Sequence, residues 1–180
     1  MKFFVEKIKS IDGAILLIPN TYTDERGQIW TTFNDEVEKL TGISFKHDKF
    51  SISAGNVLRG IHGDKFTTKL VTCIMGGVKQ VVVDLRPHSR TFGNHFIVEI
   101  NRKKPALVLI PAGCGNAFYT TQNDTVYHYK LSYPNKYLDF DEQFTIMWDD
   151  KDLGIGWDLN CSPILSPRDS KGKSFASYKR

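Results

Sequence analysis

The sequence lacks any long hydrophobic run. No apolar stretch approaches the roughly eighteen residues that a membrane-spanning helix needs, and the short N-terminal stretch MKFFV is followed at once by Glu6 and Lys7. A positively charged leader followed by an apolar core is missing as well. These absences argue against membrane insertion and export, and they predict a cytoplasmic protein.

Cysteine is scarce. The three cysteines are Cys73, Cys114 and Cys161, and no two of them are spaced as in a C-x-x-C motif. An odd number without paired spacing argues against a disulfide framework and against a zinc knuckle. Their apolar neighbours instead predict free thiols buried in the core.

The signatures of several functional classes are also missing. The sequence has no G-x-S-x-G elbow, no P-loop and no dinucleotide-binding glycine fingerprint, so acyl transfer, nucleotide hydrolysis and hydride transfer lack support. The 24 basic and 20 acidic residues leave a net charge of +4, with much of the excess in the last ten residues. Basic and aromatic residues do not cluster on one strand, which argues against nucleic-acid binding.

What the sequence does contain is a series of short β-prone runs. With 180 residues, 41% of them hydrophobic, we expect one domain over residues 1–180. From residue 46 onward, β-branched and aromatic runs alternate with Gly, Pro, Asn and Asp, as in sandwiches and barrels. The pattern predicts an all-β jelly roll with strands near 46–54, 57–62, 69–75, 78–85, 94–100, 106–110, 117–121 and 125–132.

The N-terminal region predicts two strands and one short helix. Residues 14–19 and 28–33 read as strands on either side of a charged turn at 24–27. Asn34 as N-cap, two acids in the first turn and Gly42 as a C-terminal stop predict a helix between them.

Two later features concern connections. Gly76 and Gly77 separate two apolar runs and predict a two-residue hairpin, because a type I′ turn needs a positive φ at both central positions. From Asn160 onward the chain is rich in Pro and Ser, so we expect an irregular C-terminal segment that wraps over the barrel.

Candidate functional residues lie on three of the predicted strands. His62 ends a strand where a turn can hold it at the barrel mouth as a general base, although a surface histidine is the plainer interpretation. Lys69 lies on an apolar face and either reaches the rim or serves a site. Tyr129 points inward by alternation, for packing or as an acid. Arg59 lies three residues before His62, so only a bulge at Gly60 would bring both into one cavity.

A bound metal is the rival use of His62. Metal sites in small barrels need several convergent His or carboxylate ligands, whereas Asn116 stands where a further ligand would be expected. The other histidines are scattered singly: His47, His88, His95 and His128. The sequence therefore predicts neither a metal nor another cofactor.

Several segments together resemble a known family. They are DERG at 24–27, NVLRGIH at 56–62, KLV at 69–71, VDLR at 83–86, TFG at 91–93, IPAG at 110–113, YK at 129–130, WDD with LGI at 148–155, and LSPRD at 165–169. In this order they resemble the cupin-fold nucleotide-sugar epimerases typified by dTDP-4-dehydrorhamnose 3,5-epimerase. The resemblance implies a double-stranded β-helix, the cupin form of the jelly roll.

The resemblance also implies a chemistry and residue roles. The reaction is metal-free removal of a proton beside the C4 ketone of a nucleoside-diphosphate 4-keto sugar, followed by return of a proton to the opposite face. His62 corresponds to the base, Asp169 to the carboxylate that orients it, Tyr129 to the acid, and Lys69 to the cation beside the enolate oxygen. The implied substrate-binding residues are Arg26, Arg59, His47, Lys49, Asn116 and Tyr133.

The sequence departs from the family's pattern in places that affect specificity. Asn116 stands where the typical member has a second histidine, and His47 and Lys49 stand where amides are more usual. Because a carboxamide does not titrate near neutrality, we expect inversion at C3 and a slow or silent C5. The short loop at 63–68 is similar to a capsule-heptose branch, which implies either a GDP-4-keto-heptose or a dTDP-4-keto-6-deoxyhexose, in surface-polysaccharide biosynthesis.

Two alternative functions stay open, and a partner is implied. The same barrel would suit a 4-keto sugar isomerase or a sugar-nucleotide-binding cupin without catalysis. The resemblance implies a homodimer in which the Arg26 region reaches the neighbouring subunit's ligand, and the apolar N-terminal strands around Ile15 and Trp30 could pair with a partner sheet.

Overall fold

The computed structural model describes residues 2–178, and it is built mainly of strands with one α-helix. The N-terminal elements are β1 (Phe3–Lys7), β2 (Ile15–Pro19), β3 (Tyr22–Asp24), β4 (Gly27–Ile29) and α1 (Asp35–Thr41). The barrel strands that follow are β5 (His47–Ser53), β6 (Leu58–Gly63), β7 (Thr68–Met75), β8 (Gly77–Asp84), β9 (His95–Asn101), β10 (Leu107–Ile110), β11 (Cys114–Thr120), β12 (Thr125–Ser132) and β13 (Phe144–Thr145). Lys179 and Arg180, part of the predicted basic tail, lie outside the described residues.

Two large sheets form the predicted jelly roll. One sheet has the order β1-β2-β10-β7-β12-β5 and the other the order β13-β6-β11-β8-β9, while β3 and β4 pair separately. Large apolar side chains from both sheets, including those of Val71, Val82, Phe118 and Tyr127, form the core between them. The prediction of an all-β cupin fold is therefore confirmed.

The C-terminal segment explains why the second sheet is buried on both faces. Every residue of β11 is buried, although a solvent-facing sheet would alternate. The outer side of this sheet packs against Leu153, Trp157 and Phe175, which belong to the segment after β13. The irregular C-terminal wrap predicted from Asn160 is present, it begins earlier in the chain than predicted, and its apolar side chains cover the outer face of β6, β8 and β11.

The N-terminal helix begins and ends as predicted. The Asn34 side chain accepts a hydrogen bond from the backbone N–H of Glu36 at 3.1 Å, and Gly42 takes a left-handed conformation with φ of 68°. Val37 is fully buried, whereas Leu40 is 40% exposed. The helix therefore docks onto the six-stranded sheet through a narrower apolar side than its sequence suggests.

The predicted hairpin at Gly76 and Gly77 is wrong. β7 and β8 belong to different sheets and do not pair, and only Gly76 of the two has a positive φ. A Cβ atom at Gly76 would lie 2.9 Å from the Cα of Thr125. Glycine is needed there because the chain crosses between sheets against a neighbouring backbone, which a hairpin signal does not distinguish.

Three smaller expectations also need correction. The strand predicted over 28–33 ends at Ile29, after which Phe33 turns inward and packs edge to face on Phe45 at 5.9 Å between ring centroids. The sequence did not indicate β1, β3 or the short β13, and the charged turn at 24–27 joins β3 to β4 rather than the predicted strand at 14–19. Cys73 and Cys114 are buried free thiols as predicted, but Cys161 is exposed. Within residues 2–178, no helix is long and apolar enough to cross a membrane.

The predicted bulge at Gly60 is present in β6. Asn116 of β11 pairs with His62 and Phe118 pairs with Arg59, so three steps along β6 match two along β11. Gly60 has a φ of 130°, and a Cβ there would lie 2.4 Å from that of Ala117. The extra residue is accommodated because glycine has no side chain, and it turns Arg59 and His62 toward one cavity.

Candidate active site

A cavity of about 520 Å³ opens between the two sheets at the ends of β5, β6, β7 and β12. The predicted residues that line it are Lys49, Arg59, His62, Lys69, Asn116, Tyr129 and Asp169, and the remaining lining residues are Ser51, Leu131, Tyr137, Gln143, Ser166, Pro167 and Arg168. All four predicted catalytic residues therefore meet in one space.

Partly buried His62 and buried Asp169 form a pair at the wall of the cavity. The Nε2 atom of His62 is in hydrogen-bond contact with Oδ1 of Asp169, whose side chain is 3% exposed. The Ser166 hydroxyl donates to the other carboxylate oxygen at 2.9 Å, and the Asp169 backbone N–H donates back to that hydroxyl at 3.1 Å. The carboxylate is thus fixed on both oxygens, and it orients the imidazole.

The pair joins residues that are 107 positions apart in the sequence. The C-terminal segment returns to β6 through a parallel bridge between Val57 and Ile164, and it meets residue Ile146 through Lys173. Asp169 then begins a short 3₁₀ turn between these two anchors. This return of the chain is what places the carboxylate beside His62.

Burial determines the protonation of the histidine. Burial lowers the pKa of His62 below its ordinary value of 6.5, and the bond to Asp169 opposes that shift, while Arg168 and Lys69 add to it. The imidazole is therefore neutral near pH 7. Because Nε2 faces the carboxylate and carries the proton, the lone pair of a neutral ring lies on Nδ1.

Lys69 lines the cavity and does not reach the rim. It is 5% exposed, and its ammonium donates to the backbone carbonyl of His62 at 3.2 Å. Burial lowers the pKa of Lys69 to about 8, against the opposing attraction of Asp64. A fixed and buried cation therefore lies next to His62.

Tyr129 faces the cavity from the opposite sheet, as alternation along β12 predicts. Burial raises the pKa of Tyr129 above its ordinary value, and the charge of Arg59 opposes the shift. Its ring packs against that of Tyr127 at 4.8 Å between centroids. The phenol is therefore held protonated across the cavity from His62.

The cavity is electropositive. Among its lining residues four are cations and one is a carboxylate, and that carboxylate is engaged with His62. Arg168 is anchored by donating to the Thr145 hydroxyl at 2.6 Å, and Arg59 donates to the Ser53 hydroxyl at 3.1 Å. Such an excess of positive charge suits a ligand with phosphate groups.

Three of the predicted substrate-binding residues lie outside the cavity lining. His47 and Tyr133 are at its margin, with the Tyr133 hydroxyl 3.3 Å from Nδ1 of His47, and the His47 ring packs edge to face on Tyr137. Arg26 lies on the β3–β4 turn, paired with Asp24 at 2.6 Å, with its side chain 85% exposed. Arg26 does not contribute to this chain's own cavity.

Sequence reasoning missed several lining residues. Ser51 follows Lys49 by two on β5, so alternation would have identified it. Arg168 directly precedes Asp169 in the LSPRD segment, from which only Asp169 is predicted as a site residue. Tyr137 and Gln143 belong to an irregular stretch after β12, where no periodic signal exists. The segment that holds them is joined to the barrel by the ion pair of Lys49 and Asp139 at 3.7 Å.

The side chains that line the cavity can be compared with the ligands that a bound metal ion would need. Within the described residues, 2–178, no three His, Cys, Asp or Glu side chains converge as a metal site requires. Asn116 lines the cavity together with Lys69, Tyr129 and His62, and His62 is the one histidine among the lining residues. The cofactor-free reaction stays a prediction, tested by activity after chelation.

Known proteins match this chain over nearly its whole length. The sequence model of the family described as dTDP-4-dehydrorhamnose 3,5-epimerase matches residues 9–177. A dTDP-4-dehydrorhamnose 3,5-epimerase from Methanothermobacter thermautotrophicus is 36% identical over 172 residues, which is 91% of this chain and 90% of that protein. A dTDP-4-dehydro-6-deoxyglucose 3-epimerase from a Streptomyces species is 31% identical over 180 residues, covering 95% and 89%.

A solved structure agrees with the fold. The crystal structure of dTDP-6-deoxy-D-glucose-3,5-epimerase from Legionella pneumophila, in complex with dTDP-4-keto-L-rhamnose, has a TM-score of 0.89 and 32% identity, and the match covers 97% of this chain and 94% of that one. Together, the fold and these matches define an isomerase of the nucleotide-sugar epimerase class. More particularly, the chain belongs to the dTDP-4-dehydrorhamnose 3,5-epimerase family.

Proposed function

We propose that this protein inverts C3, and more slowly C5, of a dTDP-4-keto-6-deoxyhexose. The observation that carries the proposal is that His62 on one sheet, paired with Asp169 of the C-terminal segment, and protonated Tyr129 on the other sheet face a common cavity. Inversion requires a base and an acid on opposite faces of the sugar ring. The sugar nucleotide is inferred from the names of the relatives.

The proposed reaction begins at His62. The neutral imidazole takes the proton from the carbon beside the C4 ketone, so that the C–H bond breaks as an N–H bond forms and the electron pair moves onto the C4 oxygen. Asp169 stabilises the resulting imidazolium, and Lys69 stabilises the enolate oxygen. Tyr129 then gives its proton to the opposite face of the same carbon, and solvent exchange resets both groups.

The remaining cations would hold the nucleotide. Lys49, Arg59 and Arg168 line the same cavity, and guanidinium groups bind phosphate oxygens in a bidentate manner. The predicted alternative of a GDP-linked heptose finds no support in the relatives named above, which are all named for dTDP sugars. The dTDP-linked 6-deoxyhexose is accordingly the substrate to test first.

Incubation with dTDP-4-keto-6-deoxyglucose in D2O tests the function. We expect deuterium at C3 before C5, with inverted products, because Asn116 supplies no titrating group for the second step. A carbonyl that moves to another carbon would indicate the isomerase instead. Binding without any deuterium incorporation would indicate a non-catalytic cupin. A GDP-4-keto-heptose run in parallel, labelled faster than the dTDP sugar, would contradict the substrate assignment.

The pH dependence of kcat/KM should be bell-shaped. Burial lowers the pKa of His62 from its ordinary value of 6.5. Activity should therefore fall at a pH below 6.5, where His62 becomes protonated. It should fall again above about 8, where Lys69 loses its proton. In Lys69→Arg the alkaline limb should move to higher pH, because arginine stays charged. An alkaline limb at an unchanged pH in this variant would exclude Lys69 as its source.

We also propose a homodimer. The predicted contact strand around Ile15 is β2, which is paired on both sides, and Trp30 lies just after β4. The free edge is β1, whose Phe4 is 67% exposed, and the β3–β4 hairpin exposes Tyr22 and Ile29. Exposed edges with apolar side chains favour pairing with another chain. We expect the protein to sediment as a dimer at micromolar concentration, and Arg26→Ala to weaken dTDP binding. A fully active monomer would contradict both parts.

Mixing of two inactive variants tests whether Arg26 acts across the subunits. Arg26→Ala and His62→Ala homodimers should each have low activity. After exchange of subunits, a mixed dimer contains one site with both an intact His62 and an intact partner Arg26, so activity should return. If mixing restores nothing, Arg26 acts within its own chain or has no role at the site.

A further inference from the structure

A buried network of two amides and a phenol lies under the floor of the cavity. Gln80 of β8 and Tyr127 of β12 are fully buried, and Asn116 of β11 is 5% exposed. The Gln80 Nε2 group donates to the Val81 carbonyl at 2.9 Å and to Oδ1 of Asn116 at 2.7 Å. The Tyr127 hydroxyl donates to Oε1 of Gln80 and lies 3.3 Å from Oδ1 of Asn116.

The network fixes which end of the Asn116 amide faces the cavity. A backbone carbonyl only accepts hydrogen bonds, so Gln80 must present its nitrogen to Val81. The second N–H of that nitrogen then points at Asn116, which must present its oxygen. The oxygen and the nitrogen of a carboxamide lie on opposite sides of its carbon. The NH2 group of Asn116 is therefore turned away from Gln80.

Asn116 lies where a donor would serve the reaction. It pairs with His62 across β6 and β11, and it lines the same cavity as Lys69, whose ammonium is bonded to the His62 carbonyl. Lys69 and Asn116 thus both lie beside the base. When His62 removes the proton from the carbon beside the C4 ketone, negative charge develops on the C4 oxygen.

We propose that Asn116 donates a hydrogen bond from Nδ2 to this developing oxyanion, and that Gln80 and Tyr127 are positioning residues that hold the amide in the required orientation. This inference rests on the proposed function for the identity of the oxyanion. A donor aimed at charge that exists only in the transition state raises kcat and has little effect on KM. Tyr127 also packs between Phe118 at 4.0 Å and Tyr129 at 4.8 Å, so the network is rigid.

Isosteric replacement of Asn116 tests the donor. Asn116→Asp keeps an oxygen toward Gln80 but puts a second oxygen where the NH2 group was. We expect kcat to fall on the order of 10²- to 10³-fold, the usual cost of removing one oxyanion donor, with KM nearly unchanged. An Asn116→Asp variant with normal kcat would overturn the proposal.

A double-mutant cycle tests the positioning role. Gln80→Leu should lower kcat by roughly 10- to 100-fold because the amide can then rotate, and it should have no further effect in an Asn116→Ala background. Equal losses in both backgrounds would show that Gln80 does not act through Asn116. Thr72→Val is the matched control, since it removes one buried hydrogen bond, to the Ala106 carbonyl at 2.7 Å, at a residue that does not line the cavity, and it should lower the Tm without lowering kcat.

The orientation can be read without turnover. In the 15N-labelled protein, the Gln80 NH2 protons should exchange slowly with solvent because both are bonded and buried, and those of Asn116 should exchange faster. The reverse order would overturn the orientation. An unmodified protein that does not turn over a 4-keto sugar would overturn the proposed function, and the exchange order would still decide how the Asn116 amide is held.

Discussion

His62→Ala is expected to abolish deuterium incorporation at every carbon that the protein epimerises. The imidazole is the one neutral base in the cavity that is held by a buried carboxylate, and a positioned base contributes roughly 10²- to 10⁴-fold in rate. The measurement is deuterium incorporation into the 4-keto sugar in D2O, followed by NMR. The rate should fall at C3 and C5 together, since one base serves both carbons.

The chain offers a matched control for this histidine. His128 is also buried and pairs with a carboxylate, that of Asp48 at 2.7 Å, but it points to the other face of β12 and stacks on Phe50. His128→Ala loses a comparable hydrogen bond between an imidazole and a carboxylate, outside the cavity, and should retain exchange. If His128→Ala lost exchange as fully as His62→Ala, the loss would reflect damage to the barrel rather than removal of a base.

Tyr129→Phe is expected to separate exchange from inversion. Removal of a proton needs only His62, so deuterium should still enter C3 from the face on which the base lies. Return of a proton to the opposite face needs the phenol, so inverted product should fall by roughly 10²- to 10⁴-fold. The raised pKa of Tyr129 keeps this proton in place throughout the neutral range.

Tyr119→Phe is the control for the loss of a phenol. Tyr119 belongs to β11 in the other sheet, does not line the cavity and donates to Oδ1 of Asn56 at 2.6 Å. Removal of its hydroxyl should leave both exchange and inversion intact. If Tyr129→Phe inverted C3 at the normal rate, another group or a water would have to be the acid. The assignment of the second half-reaction would then be wrong.

The other side chains around the cavity hold the proposed catalytic groups in position and do not supply a further acid or base. Asp169 is held by Ser166 on one side and by His62 on the other, and Arg168 is tied to the strand β13 through Thr145. Catalysis by proton transfer needs this rigidity, because a base contributes only within hydrogen-bond reach of the proton. The C-terminal segment therefore covers the outer face of the five-stranded sheet and also holds Asp169 and Arg168 in place at the cavity.

Much of the barrel could be predicted from the sequence because its signals are local. Period-two alternation predicted that Tyr129 faces inward. Asn34 and Gly42 predicted the two ends of the helix, and Gly60 predicted the bulge. Each of these depends on sterics and hydrogen bonds within a few residues. The same local logic failed at Gly76, where a close approach to Thr125, distant in sequence, decided the conformation.

The sequence by itself, through its resemblance to a known family, predicted roles for His62, Lys69 and Tyr129, and period-two alternation predicted that Tyr129 faces inward. Only the tertiary structure decided that β7 and β8 part into different sheets, that Arg26 lies away from its own chain's cavity, and that Arg168 and Tyr137 lie inside it. The orientation of the Asn116 amide was likewise set by Gln80, 36 positions away. The physical reason is that strand pairing, side-chain networks and the return of the C-terminal segment are contacts between distant residues, and no local periodicity encodes them.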